Sequence, residues 1–327
     1  MTDCVVVGAG PAGLAASVAL GERGIQHLVL ERDRVAASWR AQRWDSFRLN
    51  TPGWMNSLLG GQARDAYATG REVAQRLEEL AAGRPVCEGV RVAGLAPRGD
   101  GWAVASDDGE LSARAVVVAT GDQNRPRVPA LGRRLPGRVA QLHTADYRGP
   151  GQLPDGAVLV VGSAQSGCQI AQDLLAGGRR VILATSRVGR LPWRHRGRDS
   201  VDWLVEAGFF DQRPRDLPDP SVMDDAQPIV ASGGRSLSLP ALARAGATLV
   251  GRPVAVEGDR VGFDDSLAAN VAAGDGFAAR VRTMVDELID RRGLDAPPAE
   301  PDEHDAPPDL DPPASLDLRT EAVGSVV

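Results

Sequence analysis

The spacing of apolar and polar residues changes from segment to segment along the chain. The first segments follow an order that is typical of a nucleotide-binding unit. Residues 4–7 form a short apolar run, residues 11–23 have a helix-like pattern that Gly24 ends, and residues 27–30 are apolar again. Short apolar runs bounded by glycine are typical of buried strands, and glycine after a periodic segment ends a helix. The pattern therefore predicts a strand, a glycine turn, a helix and a second strand, which form one βαβ unit.

The same order of patterns recurs in the second half of the chain. Residues 157–161 form an apolar run, residues 166–176 are helix-like and stop at the glycine pair 177–178, and residues 181–184 form the next run. Strands that alternate with helices favour a parallel sheet. The sequence thus predicts two nucleotide-binding halves.

Three shorter apolar runs lie between the two repeats, at 90–95, 102–106 and 111–119. The breaks at 99–101 and 107–109 are rich in glycine and aspartate, as tight turns are, so these runs predict an antiparallel meander. The expected fold class is therefore α/β, with two Rossmann-like dinucleotide-binding domains and a small antiparallel meander.

Further helices and one connection are predicted outside these units. Helices are expected over residues 70–82, over 199–207, where Asp199 caps the N-terminus, and over 267–292. Residues 296–313 hold seven prolines and six acidic residues, which predicts an extended connection.

Composition narrows the functional classes. The 327 residues are enough for about two domains of ordinary size. All 37 basic residues are arginine, which excludes mechanisms that need a lysine, such as Schiff-base chemistry or a P-loop. The formal charge of -6 is spread along the chain without a basic stripe, which argues against a nucleic-acid partner and favours small ligands.

Cysteine usage and the N-terminus bear on the location of the protein. Cys4, Cys87 and Cys168 form neither a CxxC pair nor an even set, which predicts reduced thiols in a cytoplasm. No basic region precedes the first apolar run and no stretch approaches 18 apolar residues, so we expect neither export nor a membrane span. No metal site is predicted, because three of the four histidines are isolated from one another and from the cysteines: His27, His195 and His304.

The first glycine turn, at residues 8–13, has the complete GxGxxG pattern, and Glu31 ends the strand that follows its helix. Gly8 permits the tight turn, Gly10 lets a pyrophosphate approach the backbone, and Gly13 lets the helix pack closely. The Glu31 carboxylate can accept hydrogen bonds from ribose hydroxyls and disfavours a 2′-phosphate. This turn therefore predicts binding of FAD or NAD.

The second turn, at residues 162–167, has Ala164 in place of the middle glycine. The added methyl group narrows the space for a pyrophosphate. Ser186 and Arg187 follow the next strand where an acid would stand, and a guanidinium beside a hydroxyl suits a 2′-phosphate. This turn therefore predicts NADP, with a purely structural turn and a solvated arginine as the alternatives.

Four further segments carry a resemblance to a known family: residues 36–40 (AASWR), 47–52 (FRLNTP), 116–121 (VVVATG) and 141–147 (QLHTADY). In that order they resemble a GGxWR segment, an L-N-T segment beside the flavin, the ATG strand that returns to FAD, and the HxxxY end of the monooxygenase fingerprint. The chain, from residue 4 to about 210, thus resembles the two-dinucleotide-binding-domain flavoproteins, and among them the class B flavin-dependent monooxygenases.

The monooxygenase fingerprint FxGxxxHxxxY is matched only in part. Leu135 replaces its phenylalanine, and five residues instead of three separate Gly137 from His143. The Trp-Pro that marks Baeyer–Villiger members is absent, because Arg148 follows Tyr147. The resemblance is therefore to the heteroatom-oxygenating and indole-pyruvate monooxygenase branch.

This resemblance implies an FAD-binding domain over residues 1–150, an NADPH-binding domain over 151–265, and a segment over 266–327 that returns to the FAD domain. It implies that NADPH reduces FAD and that one oxygen atom from O2 enters a small organic substrate. Two alternatives stay open. One is an NADPH-dependent flavin reductase or oxidase that oxygenates nothing, and the other is a catalytically silent or interaction protein that keeps the fold.

The resemblance also implies site residues. Asn50 is the candidate catalytic residue at the flavin edge, with a turn residue as the alternative, while His143 and Tyr147 are expected to be structural. The sequence itself shows an arginine cluster around Trp193, which could form a nucleic-acid patch. Its position just after the predicted 2′-phosphate strand favours a role on the NADP side, with a solvated face as the alternative: Arg190, Arg194, Arg196 and Arg198. The candidate cofactor-binding residues are Gly8, Gly10, Pro11, Ala12, Gly13, Glu31, Arg32, Trp39, Arg40, Leu49, Val92, Thr120 and Gly121 for FAD, and Gly162, Ser163, Gln165, Ser166, Gly167, Ser186 and Arg187 for NADPH.

The last residues resemble the approach to a second ATG-like strand, which in this family completes the FAD domain. Residues 316–319 and 323–327 form this approach, and the chain stops at Val327, where family members continue with a turn and a final helix. The resemblance therefore predicts weak FAD binding, low stability, and an open apolar sheet edge that a second copy or a partner chain covers.

Overall fold

Each half of the chain forms its own mainly parallel sheet, as the two βαβ patterns predict. The computed structural model describes residues 2–60, 63–121, 125–216, 227–301 and 310–327. The chain divides into a first unit, Met1–Arg127, and a second unit, Val128–Val327. The α/β fold class with small antiparallel sheets is confirmed.

A six-stranded sheet is the frame of the first unit. Its strands are β1 Thr2–Val7, β2 His27–Glu31, β3 Val86–Glu88, β4 Val92–Arg98, β5 Gly101–Ser106 and β6 Gly109–Val118. Their order across the sheet is β3-β2-β1-β6-β5-β4. β6 pairs antiparallel with β5 up to Ala113 and parallel with β1 from there on. The predicted meander is confirmed, and its last strand continues into the parallel sheet.

Both faces of this sheet are covered, which explains the continuous apolar run of β1. The helices of the unit are α1 Pro11–Glu22, α2 Ala37–Ala41 and α3 Gly70–Ala81. Val6 packs on the helix side with Leu14 and Leu77, whereas Val5 packs on the other side with Val104 of the meander. A strand that is buried on both faces has no polar alternation.

The capping chemistry fixes the start of α3. The Thr69 hydroxyl accepts a hydrogen bond from the Glu72 N–H (3.0 Å), and the Glu72 carboxylate accepts one from the Thr69 N–H (2.8 Å). This reciprocal capping box satisfies two backbone donors at the helix start. The predicted helix over 70–82 is confirmed with its end at Ala81.

A five-stranded parallel sheet is the frame of the second unit. The strands of the unit are β7 Ala140–Gln141, β8 Ala157–Val161, β9 Val181–Ala184, β10 Arg194–His195, β11 Arg198–Asp199, β12 Thr248–Val250, β13 Pro253–Glu257, β14 Arg260–Phe263, β15 Ser315–Asp317 and β16 Val323–Val326. The main sheet has the order β12-β9-β8-β16-β7. β13, β14 and β15 form an antiparallel sheet, and β10 pairs with β11.

The helices of the second unit are α4 Gln165–Ala176, α5 Ser200–Glu206, α6 Leu239–Arg244 and α7 Leu267–Arg292. α5 begins after Asp199, whose side chain accepts from the Val201 N–H (2.9 Å), so the predicted cap is confirmed. Short 3-10 turns lie at Gly53–Met55, Ser57–Leu59, Ala130–Arg134, Pro150–Gln152, Phe209–Asp211 and Pro214–Asp216.

The 26-residue helix α7 is as long as a membrane span but is amphipathic. Its buried positions include Val271, Ala278 and Val285, which recur at the spacing of one helix face. Within the described part of the chain, no helix is both long and apolar enough to cross a membrane. After α7, residues 294–301 and 310–314 contain neither helix nor strand, which fits the expected connection, and the remainder of that connection lies outside the described residues.

The C-terminal segment belongs to the second unit, so its expected return to the FAD domain is wrong. β16 lies between β7 and β8 and pairs in parallel with both, and β15 pairs with β14. β16 is thus the strand that follows this unit's own antiparallel sheet. Its partners lie more than 150 residues earlier in the chain, so the local apolar pattern alone does not determine which sheet it joins.

The first domain also ends earlier than residue 150. β7 pairs with β16, and the buried Tyr147 hydroxyl donates to the Asp173 carboxylate of α4 (2.7 Å). These contacts attach residues 128–150 to the second unit, whereas the sequence shows only that they precede the second glycine turn. The Nδ1 atom of His143 accepts from the Ala145 N–H (3.2 Å), so His143 and Tyr147 make structural contacts here.

We predict that replacing Cys168 with alanine flattens the alkaline loss of stability. Cys168 in α4 is fully buried, and burial raises the pKa of its thiol to about 12 from an ordinary value of 9.0. Above about pH 9 the unfolded chain loses this proton while the folded chain keeps it, so the free energy of unfolding falls between pH 9 and 12. The slope from one such group is at most about 1.4 kcal/mol per pH unit.

Urea unfolding at pH 7, 9, 10 and 11 measures this slope, and the chain has no lysine to titrate in that window. Cys168→Ala should reduce the slope. The control Ile170→Val, a buried change in the same helix, should lower stability equally at every pH. Equal slopes in wild type and Cys168→Ala would contradict the prediction.

Candidate functional site

The first glycine turn joins β1 to α1 by two close approaches of backbone to backbone. Gly8 has a φ of +105°, and a Cβ at Gly8 would collide with the carbonyl oxygen of Ala119. A Cβ at Gly13 would collide with the carbonyl oxygen of Gly8. A Cβ at Gly10, in contrast, would meet no atom within 4 Å. The turn is closed where the helix packs and open where a pyrophosphate would approach.

The start of α1 faces this open space with backbone donors. The first helical hydrogen bond runs from the Leu14 N–H to the Gly10 carbonyl (2.9 Å), so the N–H groups of Ala12 and Gly13 precede the helical pattern. Pro11 has no N–H, and Gly10 supplies no side-chain cap. Free donors at a helix start beside open space fit an anionic ligand group.

Glu31 lies at the end of β2 with its carboxylate held by the backbone. The Ala9 N–H donates to Oε2 (2.8 Å) and the Asp33 N–H donates to Oε1 (3.0 Å). Each carboxylate oxygen has a further lone pair, so Glu31 can still accept from two hydroxyls. The neighbouring Arg32 is exposed and pairs with Asp33 (3.1 Å).

An open groove of about 690 Å³ continues from the end of β2. Arg40, expected to bind FAD, lines this groove, but it makes a two-point contact with Glu78 of α3 (2.7 and 2.6 Å). The full lining is Arg32, Asp33, Arg34, Val35, Ala37, Ser38, Arg40, Ala41, Gln42 and Glu78. Arg40 is therefore a wall of the groove that is anchored to α3.

Ala36 has the backbone conformation that explains the glycines of the GGxWR segment. It has a φ of +60° at the start of α2, in the left-handed region. Residues with a Cβ rarely adopt this region, at a cost of about 1–2 kcal/mol. Here a buried alanine occupies the position, and the segment keeps the turn that the resemblance requires.

The side chain of Asn56, which the sequence analysis did not single out, holds the loop that contains Asn50. Asn56 Nδ2 donates to the Pro52 carbonyl (2.8 Å) and to Thr51 Oγ1 (3.2 Å). Asn50 itself is half-buried, and its side-chain amide makes no hydrogen bond with the residues that the structure describes. A signal for Asn56 was available, because asparagine shortly after Pro-Gly is typical of turns.

The other FAD candidates fall into two groups. Thr120 and Gly121 follow β6 and are exposed, near the end of β1. Val92 begins β4, close in the chain to Val90, whose N–H donates to the Glu31 carbonyl (2.8 Å). Trp39 and Leu49 instead pack on the helix-side core. Further contacts of Trp39 are an edge-on contact with Phe47 and the guanidinium of Arg43 over its ring at 4.7 Å.

The second glycine turn repeats the backbone of the first. Gly162 has a φ of +103°, and a Cβ at Gly167 would collide with the carbonyl oxygen of Gly162. Ala164 before α4 has φ and ψ of -76° and -175°, against -82° and -172° at Gly10. The methyl group of Ala164 therefore occupies, in the second turn, the space that corresponds to the open space beside Gly10 in the first turn.

The strand that follows α4 carries no acid at the place of Glu31. The Gly8 N–H donates to the Leu30 carbonyl (2.8 Å) and the Gly162 N–H to the Ala184 carbonyl (2.9 Å), so Thr185 takes the place of Glu31. Thr185 is buried and donates to the Val250 carbonyl (2.8 Å). No carboxylate at this position opposes a 2′-phosphate.

Two candidate NADPH ligands instead bind other parts of the protein. Ser163 is fully buried, and its hydroxyl accepts from the Ser186 N–H (2.9 Å). Gln165 accepts from the Val230 N–H (2.9 Å) and donates to the Ala231 carbonyl (2.8 Å). Ser163 and Gln165 therefore hold neighbouring segments at the turn, while Ser166 and Gly167 form the start of α4.

Three members of the arginine cluster are paired with carboxylates of the protein, and the expected role on the NADP side stays a prediction. Arg190 pairs with Asp275 (2.9 Å), Arg196 with Asp286 (2.9 Å), and Arg198 with Glu206 (2.6 Å). The fourth member, Arg194, stacks on Trp193 at 4.8 Å. Asp275 and Asp286 lie on α7, about 90 residues away, where the local sequence gives no sign of the pairing.

No cluster of His, Cys, Asp and Glu suited to a metal ion occurs among the described residues. His27 bonds Ser17 (2.8 Å), and His195 bonds Asp286 (2.9 Å). His304 lies outside the described residues.

Comparison with known proteins agrees with this geometry. The chain is 33% identical over 217 residues to an uncharacterized CzcO-like oxidoreductase of Geobacillus kaustophilus, covering 64% of this chain and 62% of that protein. It is 34% identical over 194 residues to the indole-3-pyruvate monooxygenase YUCCA1 of Oryza sativa subsp. japonica, covering 54% and 46%. The chain thus spans about half to three-fifths of the length of these relatives, and the resemblance to flavin-dependent monooxygenases is confirmed.

A solved structure and a protein family are also similar to this chain. A flavin monooxygenase from Stenotrophomonas maltophilia aligns with a TM-score of 0.59 and 23% identity, covering 81% of this chain and 73% of that one, which shows a shared fold. The family described as pyridine nucleotide-disulphide oxidoreductase matches residues 5–205. Because that match spans more than half of the sequence, the chain belongs to the pyridine nucleotide-disulphide oxidoreductase family.

Proposed function

We propose that this chain belongs to an FAD- and NADPH-dependent monooxygenase, with FAD bound by the first unit and NADPH by the second. The observation that carries the proposal is the duplicated turn: Gly8 and Gly162 share one backbone conformation, as do Gly10 and Ala164. Two such turns in one chain supply two dinucleotide sites.

In the first unit, the open space at Gly10 and the N–H groups of Ala12 and Gly13 would receive the pyrophosphate of FAD. Glu31 would accept from the ribose hydroxyls, because the backbone already holds its carboxylate in place. Thr120 and Gly121, at the end of β6, would lie on the same edge of the sheet. The groove beside Arg40 would hold the remainder of the nucleotide.

In the second unit, the distribution of charge supports NADPH over NADH. Thr185 replaces the acid that would repel a 2′-phosphate, and the exposed Arg187 follows two residues later. Ser186, beside it, is held by the buried Ser163. A backbone that is held in place next to an exposed guanidinium suits a charge-assisted contact with a phosphate.

Bound FAD would supply hydride acceptance from NADPH and reaction with O2, which no side chain provides. The role of the protein is to orient the two nucleotides and limit water. Asn50 would supply the polar group at the flavin edge, on a loop that Asn56 keeps in shape. Oxygen transfer itself is supported by the likeness to the rice indole-3-pyruvate monooxygenase.

A flavin reductase or oxidase is the second candidate function. It is favoured by the five residues between Gly137 and His143, where the monooxygenase fingerprint has three. Such an enzyme would bind both nucleotides in the same way. It would pass all the electrons of NADPH to O2 as hydrogen peroxide.

The first prediction concerns FAD. Gly10→Val should abolish flavin binding, because its branched side chain would fill the space left for the pyrophosphate. Yellow colour and flavin absorbance of protein reconstituted with excess FAD are the measurement. The control Gly94→Val also adds a side chain where a Cβ meets no atom within 4 Å, and it should keep the flavin. Colourless wild-type protein would contradict the proposal and favour a catalytically silent fold.

A second prediction concerns the choice of nucleotide. We expect wild-type protein to be reduced faster by NADPH than by NADH, by about ten- to a hundredfold, because a charge-assisted contact contributes about 1.5–3 kcal/mol. Arg187→Gln should remove most of this preference. Anaerobic flavin reduction at several concentrations of each nucleotide gives the ratio, and an unchanged ratio in Arg187→Gln would exclude the role of that residue.

The third prediction separates oxygenation from oxidase activity. With amines, thioethers and keto acids as candidate substrates under 18O2, a monooxygenase should yield product that carries one labelled oxygen, and less than one peroxide per NADPH. Asn50→Ala should shift the balance toward peroxide. Stoichiometric peroxide with every candidate substrate would favour the reductase or oxidase.

A further inference from the structure

A short β-hairpin lies beside the second glycine turn. Ala231 and Ser236 pair antiparallel, and the Ser232 N–H donates to the Arg235 carbonyl (3.0 Å). The two central residues, Gly233 and Gly234, have φ values of 57° and 76°. Positive φ angles at both central residues are typical of a type I′ turn, which connects two antiparallel strands through two residues. The hairpin therefore holds Arg235 at a defined place near its tip.

The base of this hairpin is attached to the nucleotide turn by the side chain of Gln165. Both ends of the Gln165 amide are used, with the Val230 N–H as donor (2.9 Å) and the Ala231 carbonyl as acceptor (2.8 Å). Gln165 is the first residue of α4, directly after the middle position of the glycine turn. The hairpin thus begins within one side chain's length of the expected pyrophosphate position.

The hairpin is also attached to the segment that carries Arg187. The Ile229 N–H donates to the Gly189 carbonyl (2.8 Å), the Leu191 N–H donates to the Ile229 carbonyl (2.7 Å), and the Trp193 N–H donates to Ser236 Oγ (3.1 Å). Residues 186–193 leave the carboxyl end of β9. The hairpin therefore lies at the carboxyl edge of the sheet, where open α/β sheets bind their ligands.

Arg235 and Arg187 differ from Arg190, Arg196 and Arg198 in their partners. Arg190, Arg196 and Arg198 pair with carboxylates of α7 and α5. Arg187 and Arg235 are exposed and form neither a hydrogen bond nor an ion pair with any residue in the described ranges. Two guanidinium groups without an acidic partner thus lie on the segments that Gln165 and Ser163 join to the glycine turn.

We propose that Arg235 is a second specificity-determining arginine for the 2′-phosphate of the nucleotide, opposite Arg187, and that the hairpin Ala231–Ser236 is a wall of that site. This inference rests on the proposed binding of NADPH by the second unit. Two planar guanidinium groups can each form two hydrogen bonds with one phosphate. Gln165 is then a positioning residue, because it fixes the hairpin instead of contacting the nucleotide.

The test compares two probes that differ only in the phosphate, adenosine 2′,5′-bisphosphate and 5′-AMP. Their affinities are measured by isothermal titration calorimetry on the full chain, without NADPH turnover. Arg235→Gln should weaken the bisphosphate about tenfold or more and change 5′-AMP less than twofold. Arg260→Gln, an exposed arginine of β14 in the same unit, is the matched control and should change neither affinity.

A second variant tests the attachment of the hairpin. Gln165→Leu removes both hydrogen bonds to residues 230–231. Amide hydrogen exchange of residues 229–236 should then become at least tenfold faster, and the preference for the bisphosphate should fall although both arginines remain. Unchanged preference together with faster exchange would show that the hairpin is no part of the site.

The outcomes separate this inference from the function on which it rests. If Arg187→Gln weakens the bisphosphate and Arg235→Gln does not, Arg235 has no role while the NADPH proposal stands. If the wild-type protein binds both probes equally, the NADPH preference and the role of Arg235 are both wrong. Parallel losses in the two single variants, larger in the double variant, would confirm two arginines at one phosphate.

Discussion

The structure depends on a close approach of two backbones that excludes a side chain at the last glycine of the turn in each unit. In both glycine turns the Cα of the last glycine lies so near the carbonyl of the first that a Cβ would collide with it, as Gly13 and Gly167 show. This contact lets the helix start against the end of the central strand. The first N–H groups of the helix then face the carboxyl edge of the sheet, where an anionic group can approach. Glu31 at the end of β2 and Thr120 just beyond β6 lie at that edge in the first unit.

The two units share the strand–turn–helix–strand arrangement but differ in a few residues at equivalent positions, and these residues give each unit its own chemistry. Glu31 ends the second strand of the first unit, whereas Thr185, buried under Val250 and Asn270, stands at that place in the second unit. The arginines are divided in a similar way. Carboxylates of α7 and α5 take up the guanidinium groups that would otherwise surround Trp193, so only part of the positive charge stays available for a ligand. Because the chain has no lysine, planar guanidinium groups make all of these contacts.

Local sequence patterns predict those features of the fold that residues close together in the sequence determine. The two βαβ units, the meander, the Asp199 cap and the full extent of α7 follow from period, turn residues and capping chemistry, and all are present. The sheet that β16 joins, and the partners of Arg190 and Arg196, depend on residues about 90 to 180 positions away, which no local pattern encodes. The contacts of Ser163 and Gln165 also join separate segments, with partners 23 and about 65 positions away. The hairpin that begins at Ala231 could have been predicted from the sequence, because Gly-Gly between two short segments is typical of a type I′ hairpin turn.

In each unit a side-chain oxygen that accepts from a backbone N–H links the glycine turn to the end of the neighbouring strand, but the side of the link that carries this acceptor is reversed. In the first unit the acceptor is on the strand, where the Glu31 carboxylate takes the Ala9 N–H. In the second unit the acceptor is on the turn, where the Ser163 hydroxyl takes the Ser186 N–H. The first arrangement needs a charged acceptor at the ligand edge, which favours ligand hydroxyl donors and opposes a phosphate. The second uses a neutral, buried hydroxyl, so this contact adds no negative charge beside Arg187. The placement of a single acceptor thus couples the stability of each turn to the charge that its nucleotide meets.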